Sequence, residues 1–376
     1  MKIRWLIILV IIILSSLFFT SLGLTKADIP LWVQVNTSGF GDPANGAVTN
    51  LELFQGQLYA STANWQEGAQ VWRSQDGIHW QKMIDKGFGR GIPNAVIIDL
   101  EPFNGWLYAG TGWGTGDPAQ VWRTARGRNW ELVVADGFGD AGNGAVDGFI
   151  SYNGMFYAGT TNGNGAQIWR SSSGDPGTWT RAGGDLILKD GGQVTSFAIF
   201  KDHLYVAVEP GSGGWQDGQI GVWRTVDGSK WELVIEPGFG DPENKSAGGF
   251  FVYKDYLYLG ARNDVEGAEL WRTYDGLAWD LVADKGLGNP NNIRVDGMFA
   301  LNRMLYAYCW NSVDGMVVLR SADGVSWSQA SLYGFDNQPA NSTPLWSNGT
   351  VSFRGKIHIA TWNSLEGGEI WKMVSR

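Results

Sequence analysis

Tryptophan, asparagine and glutamate side chains in the connecting segments of this chain are residue types that could bind a polyhydroxylated ligand. An indole ring offers a flat apolar face on which a sugar ring can stack, and amide or carboxylate groups can hydrogen-bond the hydroxyls. Five tryptophans lie in or beside connecting segments, in addition to those at the recurring positions described below: Trp65, Trp113, Trp215, Trp310 and Trp362. Polar residues of the same kind of segment are Asn263, Asn311, Asn363, Glu67, Glu266 and Glu366. These residues form the predicted ligand-binding set. The alternative is that the indoles fill gaps between packed elements and that the polar residues serve turns.

Other kinds of chemistry have weak signals in the sequence. His79, His203 and His358 lie far apart, so neither a histidine metal cluster nor a histidine-based triad is predicted. Cys309 is the only cysteine, which excludes an intrachain disulfide, and we expect it to be an inert buried thiol. Loop Asp and Asn oxygens could ligate Ca²⁺, but no Asp-x-Asp-x-Asp loop is present. We therefore predict no cofactor, with calcium as the open alternative.

A glycoside-cleaving site would need two carboxylates a few ångströms apart at the reacting bond. The connecting segments supply several carboxylates: Glu67, Asp117, Asp217, Asp264, Glu266, Asp314 and Glu366. Nothing in the sequence selects a pair among them. The catalytic residues, if the chain is an enzyme, therefore stay unassigned.

A recurring Trp-Arg segment indicates which elements position these residues. Seven copies follow one another at intervals of 50, 47, 54, 48, 48 and 52 residues, at 71–74, 121–124, 168–171, 222–225, 270–273, 318–321 and 370–372. An apolar strand, a tight turn such as Asn104-Gly105 and a second strand precede each copy, and a strand that opens with Trp follows most of them. This period predicts an all-β, seven-bladed β-propeller of four-stranded antiparallel blades.

The last copy is followed by too few residues for a fourth strand. The missing strand is found near the other end, where residues 31–35 run into Ser38-Gly39-Phe40-Gly41-Asp42. This order matches residues 130–134 running into Asp136-Gly137-Phe138-Gly139-Asp140. We therefore predict that the N-terminal strand completes the last blade and closes the ring, which removes exposed strand edges.

The turn after the Trp-Arg strand carries a family resemblance. Ser74-x-Asp76-Gly77-x-x-Trp80 recurs around Asp227, Asp275 and Asp323. It resembles a form, shorter by one residue, of the Asp-box found in sialidase-like propellers with bacterial-neuraminidase-type repeats. The resemblance is between repeats and extends over nearly the whole chain. That superfamily includes sialidases, other glycosidases, assembly factors and lectin-like proteins. The resemblance implies a structural hairpin on the face opposite the functional one. The Phe-Arg-Ile-Pro motif of sialidases is absent, and Arg262 and Arg294 alone do not make up their arginine triad.

The N-terminal segment predicts export. Lys2 and Arg4 precede an apolar run from Trp5 to about Leu24, and residues 25–27 offer a small-x-small cleavage site. Residues 1–27 are thus predicted to be a signal peptide or, if uncleaved, a membrane anchor, and residues 28–376 the propeller domain. Residues 1–27 contain three basic residues and no acidic ones. Without this segment the chain has 25 basic and 37 acidic residues, a net charge of −12. This charge argues against nucleic acid and anionic lipid as partners.

Three functions remain open from the sequence. The leading hypothesis is a secreted or otherwise extracytoplasmic, monomeric, non-catalytic propeller that binds a glycan or a protein partner through its loop face. The first alternative is a glycoside hydrolase or lyase that uses loop-face carboxylates. The second alternative is a structural or assembly module of the cell surface.

Overall fold

The computed structural model describes residues 29–183, 192–210, 219–343 and 349–374, and nearly all of its regular structure is β-strand. The first half contains β1 Leu31–Gln34, β2 Ala47–Phe54, β3 Gln57–Ala63, β4 Val71–Ser74, β5 Trp80–Ile84, β6 Val96–Phe103, β7 Trp106–Gly112, β8 Val121–Thr124, β9 Glu131–Val134, β10 Asn143–Tyr152, β11 Met155–Asn162, β12 Ile168–Ser171, β13 Thr180–Ala182 and β14 Gly192–Phe200. The second half contains β15 His203–Pro210, β16 Gly221–Thr225, β17 Glu232–Leu233, β18 Ser246–Tyr253, β19 Tyr256–Arg262, β20 Glu269–Thr273, β21 Trp279–Ala283, β22 Asn292–Leu301, β23 Met304–Asn311, β24 Val317–Ser321, β25 Ser328–Gln329, β26 Thr350–Phe353, β27 Lys356–Ala360 and β28 Ile370–Val374. One helical turn, α1 Lys86–Gly89, and short 3₁₀ turns at Ser38–Gly41, Ile92–Asn94, Gly137–Gly139, Pro237–Gly240 and Lys285–Gly288 lie between strands.

The strands form antiparallel four-stranded units, as the repeat predicts. Strands β18 to β21 form one sheet, β22 to β25 a second, and β26, β27, β28 and β1 a third. Strands β2 to β17 form four such units that are joined by short pairings, Ala63 with Val96, Ala145 with Gly112 and Thr161 with Gln193. The predicted all-β architecture of four-stranded antiparallel sheets is confirmed.

The first strand of the described chain pairs with its last strand. Leu31 lies opposite Val374, and Gln34 lies opposite Trp371. Trp32 is buried here, and its Nε1 donates a hydrogen bond of 2.9 Å to the Ala330 carbonyl. The predicted contact between the segments at Trp32 and Trp371 is therefore present.

Aromatic triplets fill the space between neighbouring sheets. The Phe40 ring stacks on Trp72 with centroids 4.5 Å apart and meets the edge of Trp80 at 5.6 Å. Phe88, Phe138 and Phe239 repeat this arrangement, each with two tryptophans of the sheet that follows it in the chain. Each such pair contributes roughly 0.5–1.5 kcal/mol beyond the burial of its area. The Phe of the Gly-Phe-Gly segment therefore joins one sheet to the next.

The first strand of most units contains a bulge near its middle. Register shifts lie between Val48 and Asn50, Ile97 and Asp99, Val146 and Gly148, Val194 and Ser196, Ala247 and Phe250, and Val295 and Gly297. A bulge inserts an extra residue and turns its side chain away from the regular alternation. These bulges position the polar residues of the central cavity described below.

Candidate functional site

Three of the predicted tryptophans meet in one place. The rings of Trp65 and Trp362 stack with centroids 5.5 Å apart and an interplanar angle of 30°. Trp113 and Trp362 both pack against one small buried cluster, formed by Ala47, Ala63, Ala95, Val96, Ile98 and Ala145. The Trp65 side chain remains 39% exposed. We call Trp65, Trp113 and Trp362 the tryptophan patch.

The other two tryptophans do not join this patch. The guanidinium of Arg262 lies over the Trp310 ring at 5.2 Å from its centroid, and the same guanidinium forms two 2.8 Å hydrogen bonds to Asp264. Trp310 is thus half-buried beside an ion pair. Trp215 lies outside the described residues.

The predicted asparagines are buried and stabilise their own loops. Asn311 Oδ1 accepts hydrogen bonds from the backbone N–H groups of Val313 at 3.0 Å and Asp314 at 2.8 Å. Its Nδ2 donates to Asn292 Oδ1 at 2.8 Å. Asn263 and Asn363 form equivalent bonds. These contacts are those of turn residues, so the side-chain atoms of the asparagines are engaged within the protein.

The predicted glutamates lie on the surface of the same loops. Glu67, Glu266 and Glu366 are all exposed. Glu266 borders a shallow depression together with Asp284, Lys285, Gly288 and Pro290. The structure therefore does not bring the three carboxylates to a common point with the tryptophan patch.

A central cavity of about 480 Å³ lies along the first strands of several units. Strands β10, β14, β18, β22 and β26 supply most of its wall, and among the described residues no predicted tryptophan lines it. Its ionisable lining residues are Asp99, Asp147, Glu209, Tyr253, Arg294, Asp296 and Tyr308. A cavity of this size with a few convergent polar groups is the common form of a ligand site.

The bulges explain how acidic side chains reach this cavity. Asp147 and Asp296 are the extra residues of their bulges, and Asp99 directly follows one. The sequence-based prediction considered carboxylates in loops and missed these three. The signal that could have found them is a carboxylate inside an otherwise apolar strand, as in Val96-Ile97-Ile98-Asp99.

Asp99 connects three units of the fold. Its carboxylate accepts a 2.7 Å hydrogen bond from Asn50 Nδ2 and a 2.8 Å hydrogen bond from the Phe149 backbone N–H. Burial raises its pKa to about 7 despite these bonds. Burial likewise raises the pKa of Glu52 to about 8 and that of Glu101 to about 9, and the Asp99 charge adds to both shifts. These three carboxyls hold protons more tightly than exposed carboxyls do.

Asp147 has a single hydrogen-bond donor. The Thr161 hydroxyl donates to its Oδ2 at 2.7 Å, whereas its Oδ1 has no hydrogen-bond partner among the described residues. Burial raises the pKa of Asp147 well above its usual value, and the Glu209 charge adds to the shift. Glu209 accepts a hydrogen bond from the Ser246 hydroxyl, and burial also raises its pKa.

A buried ion pair completes the cavity wall. Arg294 Nε lies 2.5 Å from Asp296 Oδ1, and both side chains are buried. Burial raises the pKa of Asp296, although the Arg294 charge opposes the shift. The Tyr308 hydroxyl stands where a Cβ on Gly297 would be, so the glycine makes room for this phenol beside Asp296. The cavity therefore offers carboxyls with raised pKa values, one ion pair and phenol groups to a polar ligand.

No group of three or more His, Cys, Asp or Glu side chains in the described ranges is arranged to hold a metal ion. Within the same ranges, no helix has the length and apolar character needed to cross a membrane.

Comparison with solved structures identifies the fold class. An ulvan lyase, a polysaccharide lyase whose structure holds the saccharide -[GlcA(1-4)Rha3S]-, is 12% identical, with a TM-score of 0.57 over 92% of this chain and 96% of that one. The β-propeller domain of the Trilobed protease from Pyrococcus furiosus is 8% identical, with a TM-score of 0.49 over 88% and 96% of the two chains. The repeated four-stranded antiparallel sheets, together with the likeness to the lyase, give the chain a β-propeller fold. An α-L-arabinofuranosidase from Clostridium thermocellum is 13% identical, with a TM-score of 0.38 over 62% of this chain and 93% of that one. No family model and no curated protein matches the chain.

Proposed function

We propose that the four-stranded sheets are the seven blades of a closed propeller. The pairing of β1 with β28 supports this closure, and so does a backbone bridge between Ala47 and Trp362. A third support is the position of His358. A Cβ on Gly77 would lie 2.8 Å from His358 Nε2, just as a Cβ on Gly276 would overlap the Tyr205 hydroxyl of the preceding sheet. The sheet of β27 thus contacts the β4–β5 hairpin as an ordinary blade contacts its successor.

We also propose that the propeller is of the Asp-box type. Asp76 Oδ1 accepts hydrogen bonds from the backbone N–H groups of Ile78 at 2.9 Å and His79 at 2.8 Å, and Ser74 Oγ accepts one from Gly77 at 2.8 Å. The hairpins of Asp227, Asp275 and Asp323 contain the same bonds. These contacts favour the structural role that the family resemblance implies for the Asp-box.

We propose that the chain binds a glycan, with the tryptophan patch as its stacking platform. The observation that carries this proposal is the stacked pair of Trp65 and Trp362, of which Trp65 keeps an exposed ring surface. Trp65 stacks on Trp362, which in turn packs against the buried apolar cluster, so the Trp65 ring loses little side-chain entropy when a sugar stacks on it. The fold likeness to a saccharide-bound lyase is compatible with this class of ligand.

The test is a polysaccharide panel with matched variants of the full chain. Trp65→Ala and Trp362→Ala should each weaken binding of the captured glycan by about 10-fold to 100-fold, since one buried aromatic anchor typically contributes about 1.4–2.8 kcal/mol. Val313→Ala is the control, because Val313 is exposed in the equivalent loop of another repeat. Unchanged affinity in both tryptophan variants would rule out the patch. If the panel captures no glycan, the protein-partner or assembly alternatives take its place.

A second candidate function is glycoside hydrolysis or lysis in the central cavity. The observation in its favour is that Asp99 and Asp147 have raised pKa values in a polar cavity. A carboxylic acid that stays protonated near neutral pH can act as a general acid. The same panel decides between binding and cleavage, since cleavage shortens the polysaccharide and creates new chain ends. A glycan that is bound but never shortened favours the non-catalytic function.

We propose an extracytoplasmic location. The export segment at 1–27 carries this proposal, and it lies outside the described residues. The acidic net charge of the remaining chain is compatible with a glycan-facing surface and with a monomer.

A further inference from the structure

The central cavity is lined by more acidic than basic side chains. Four carboxyls, Asp99, Asp147, Glu209 and Asp296, line it, against the single guanidinium of Arg294, among the described residues. Neither Glu52 nor Glu101, which lie near Asp99, has an ion-pair partner in the described ranges. A site with this balance disfavours an anionic ligand, which would meet four acidic side chains and one cation. It favours a cationic ligand, because a positive charge nearby lowers the pKa of a buried carboxyl and stabilises its ionised form.

The four carboxyls differ in how far the protein satisfies them. Asp296 lies against Arg294, and Asp99 accepts two hydrogen bonds. Glu209 accepts a hydrogen bond from the Ser246 hydroxyl, and the charges of Arg294 and Arg262 lower its pKa against the effect of burial. Asp147 is only 2% exposed, has one neutral donor, and leaves Oδ1 without a partner among the described residues. A hydrogen-bond donor from a ligand would therefore be most favourable at Asp147.

We propose that the central cavity binds a sugar that carries a free amino group, with its ammonium against Asp147 and Glu209. This inference rests on the glycan binding proposed above. An ammonium group brings a positive charge and three N–H donors, which is what the unpaired Oδ1 lacks. Sugar hydroxyls can accept from Arg294, whose Nε and Nη1 form no well-oriented hydrogen bond within the described chain. The volume of about 480 Å³ suits a ligand of one or two sugar rings.

Three tetrasaccharides with the same chain length test this specificity. They are a β-1,4-linked glucosamine tetramer, its fully N-acetylated counterpart and a tetramer of galacturonate, each titrated calorimetrically into the full chain. The glucosamine tetramer should bind at least 10-fold more tightly than either of the other two. Asp147→Asn should weaken binding of the glucosamine tetramer at least 10-fold and leave the affinity for the N-acetylated tetramer unchanged. Asp255→Asn is the control, because Asp255 is exposed in a surface turn.

A second variant protects the test against a folding defect. If Asp147→Asn lowers the unfolding midpoint, Glu209→Gln should produce the same selective loss for the amino sugar. Equal affinity for the three tetramers, or full affinity in both variants, overturns the amino-sugar site. Binding of a neutral or acidic glycan that depends on Trp65, without any preference for the glucosamine tetramer, would overturn this inference and leave the proposed glycan binding intact. A folded chain that binds no glycan removes both proposals.

Discussion

Burial raises the pKa of Glu52, Asp99 and Glu101, and repulsion from the Asp99 charge adds to the shifts of Glu52 and Glu101. The pKa values of these carboxyls rise to about 8, 7 and 9, so the folded chain holds protons that the unfolded chain has already released at neutral pH. Stability from these groups is full below the unfolded pKa values near 4 and is lost as the pH rises through 7 to 9. The three carboxyls therefore make the fold more stable in mildly acidic solution than in mildly alkaline solution.

Glu101→Gln tests this dependence. The substitution removes one of the repelling groups, so the free energy of unfolding should fall less between pH 5 and pH 9 than it does in the parent chain. One retained proton corresponds to a slope of at most about 1.4 kcal/mol per pH unit. Urea unfolding at pH 5, 7 and 9 measures the slope, and Glu366→Gln, an exposed loop substitution, is the control. Identical slopes in all three chains would contradict the assignment.

The sequence predicted individual residues less well than it predicted strands. Asn263, Asn311 and Asn363 are polar loop residues, which is also what a binding site would show, and their use as turn caps is visible only from their hydrogen bonds. The cavity residues Asp147 and Asp296 were missed because a one-residue bulge decides where they point. Bulges leave little trace in a single sequence.

At the scale of the strand and hairpin, most sheets contact the next one through an aromatic side chain that lies against a glycine. Tyr59, Tyr108, Tyr157 and Tyr205 place their hydroxyls where a Cβ on Gly127, Gly174, Gly228 or Gly276 would be. These glycines also have positive φ angles, between 69° and 82°. The repeat, its turns and its strand order could all be predicted from spacing. The contact of a tyrosine with the following hairpin could not, because it joins residues of different repeats.

Gly276→Ala tests the contact. Its φ of 82° strains an alanine, and the added methyl would overlap the buried Tyr205 hydroxyl, so the loss of unfolding free energy should exceed about 2 kcal/mol. Gly105→Ala is the matched control, because its φ is 81° and nothing lies within 4 Å of the added methyl. The control should lose about 1 kcal/mol. Tyr205→Phe in the Gly276→Ala background should recover part of the difference. Equal losses for both glycines would show that the tyrosine contact is unimportant.

At the scale of the molecule, the pairing of β1 with β28 makes the N-terminal strand part of the core. Trp32 is buried against Phe335 at 5.0 Å and bonded to Ala330, far away in sequence. The pairing could be predicted from the sequence, because the segment around Trp32 matches the fourth strand of the internal repeats. The number of blades and the closure of the ring follow from the same match and remain proposals.

Trp32→Ala measures the importance of this closure. If the ring is closed, the substitution should lower the free energy of unfolding by about 3–5 kcal/mol, as a large core truncation does. Trp231→Ala is the internal comparison, since Trp231 is similarly buried in the middle of the chain. The two losses should be similar in chemical denaturation. A much smaller loss at Trp32 would mean that the terminal strand is dispensable.

The pairing of β1 with β28 also has a consequence for biosynthesis. Among the described strands β1 is synthesised first and its hydrogen-bonding neighbour β28 last, so β1 cannot pair until all the strands between them have been made. Until that neighbour appears, the nascent protein displays unpaired strand edges to which other chains can add. The entropy lost on joining such distant segments grows only logarithmically with their separation in sequence. The late pairing therefore affects the rate of folding more than the free energy of unfolding.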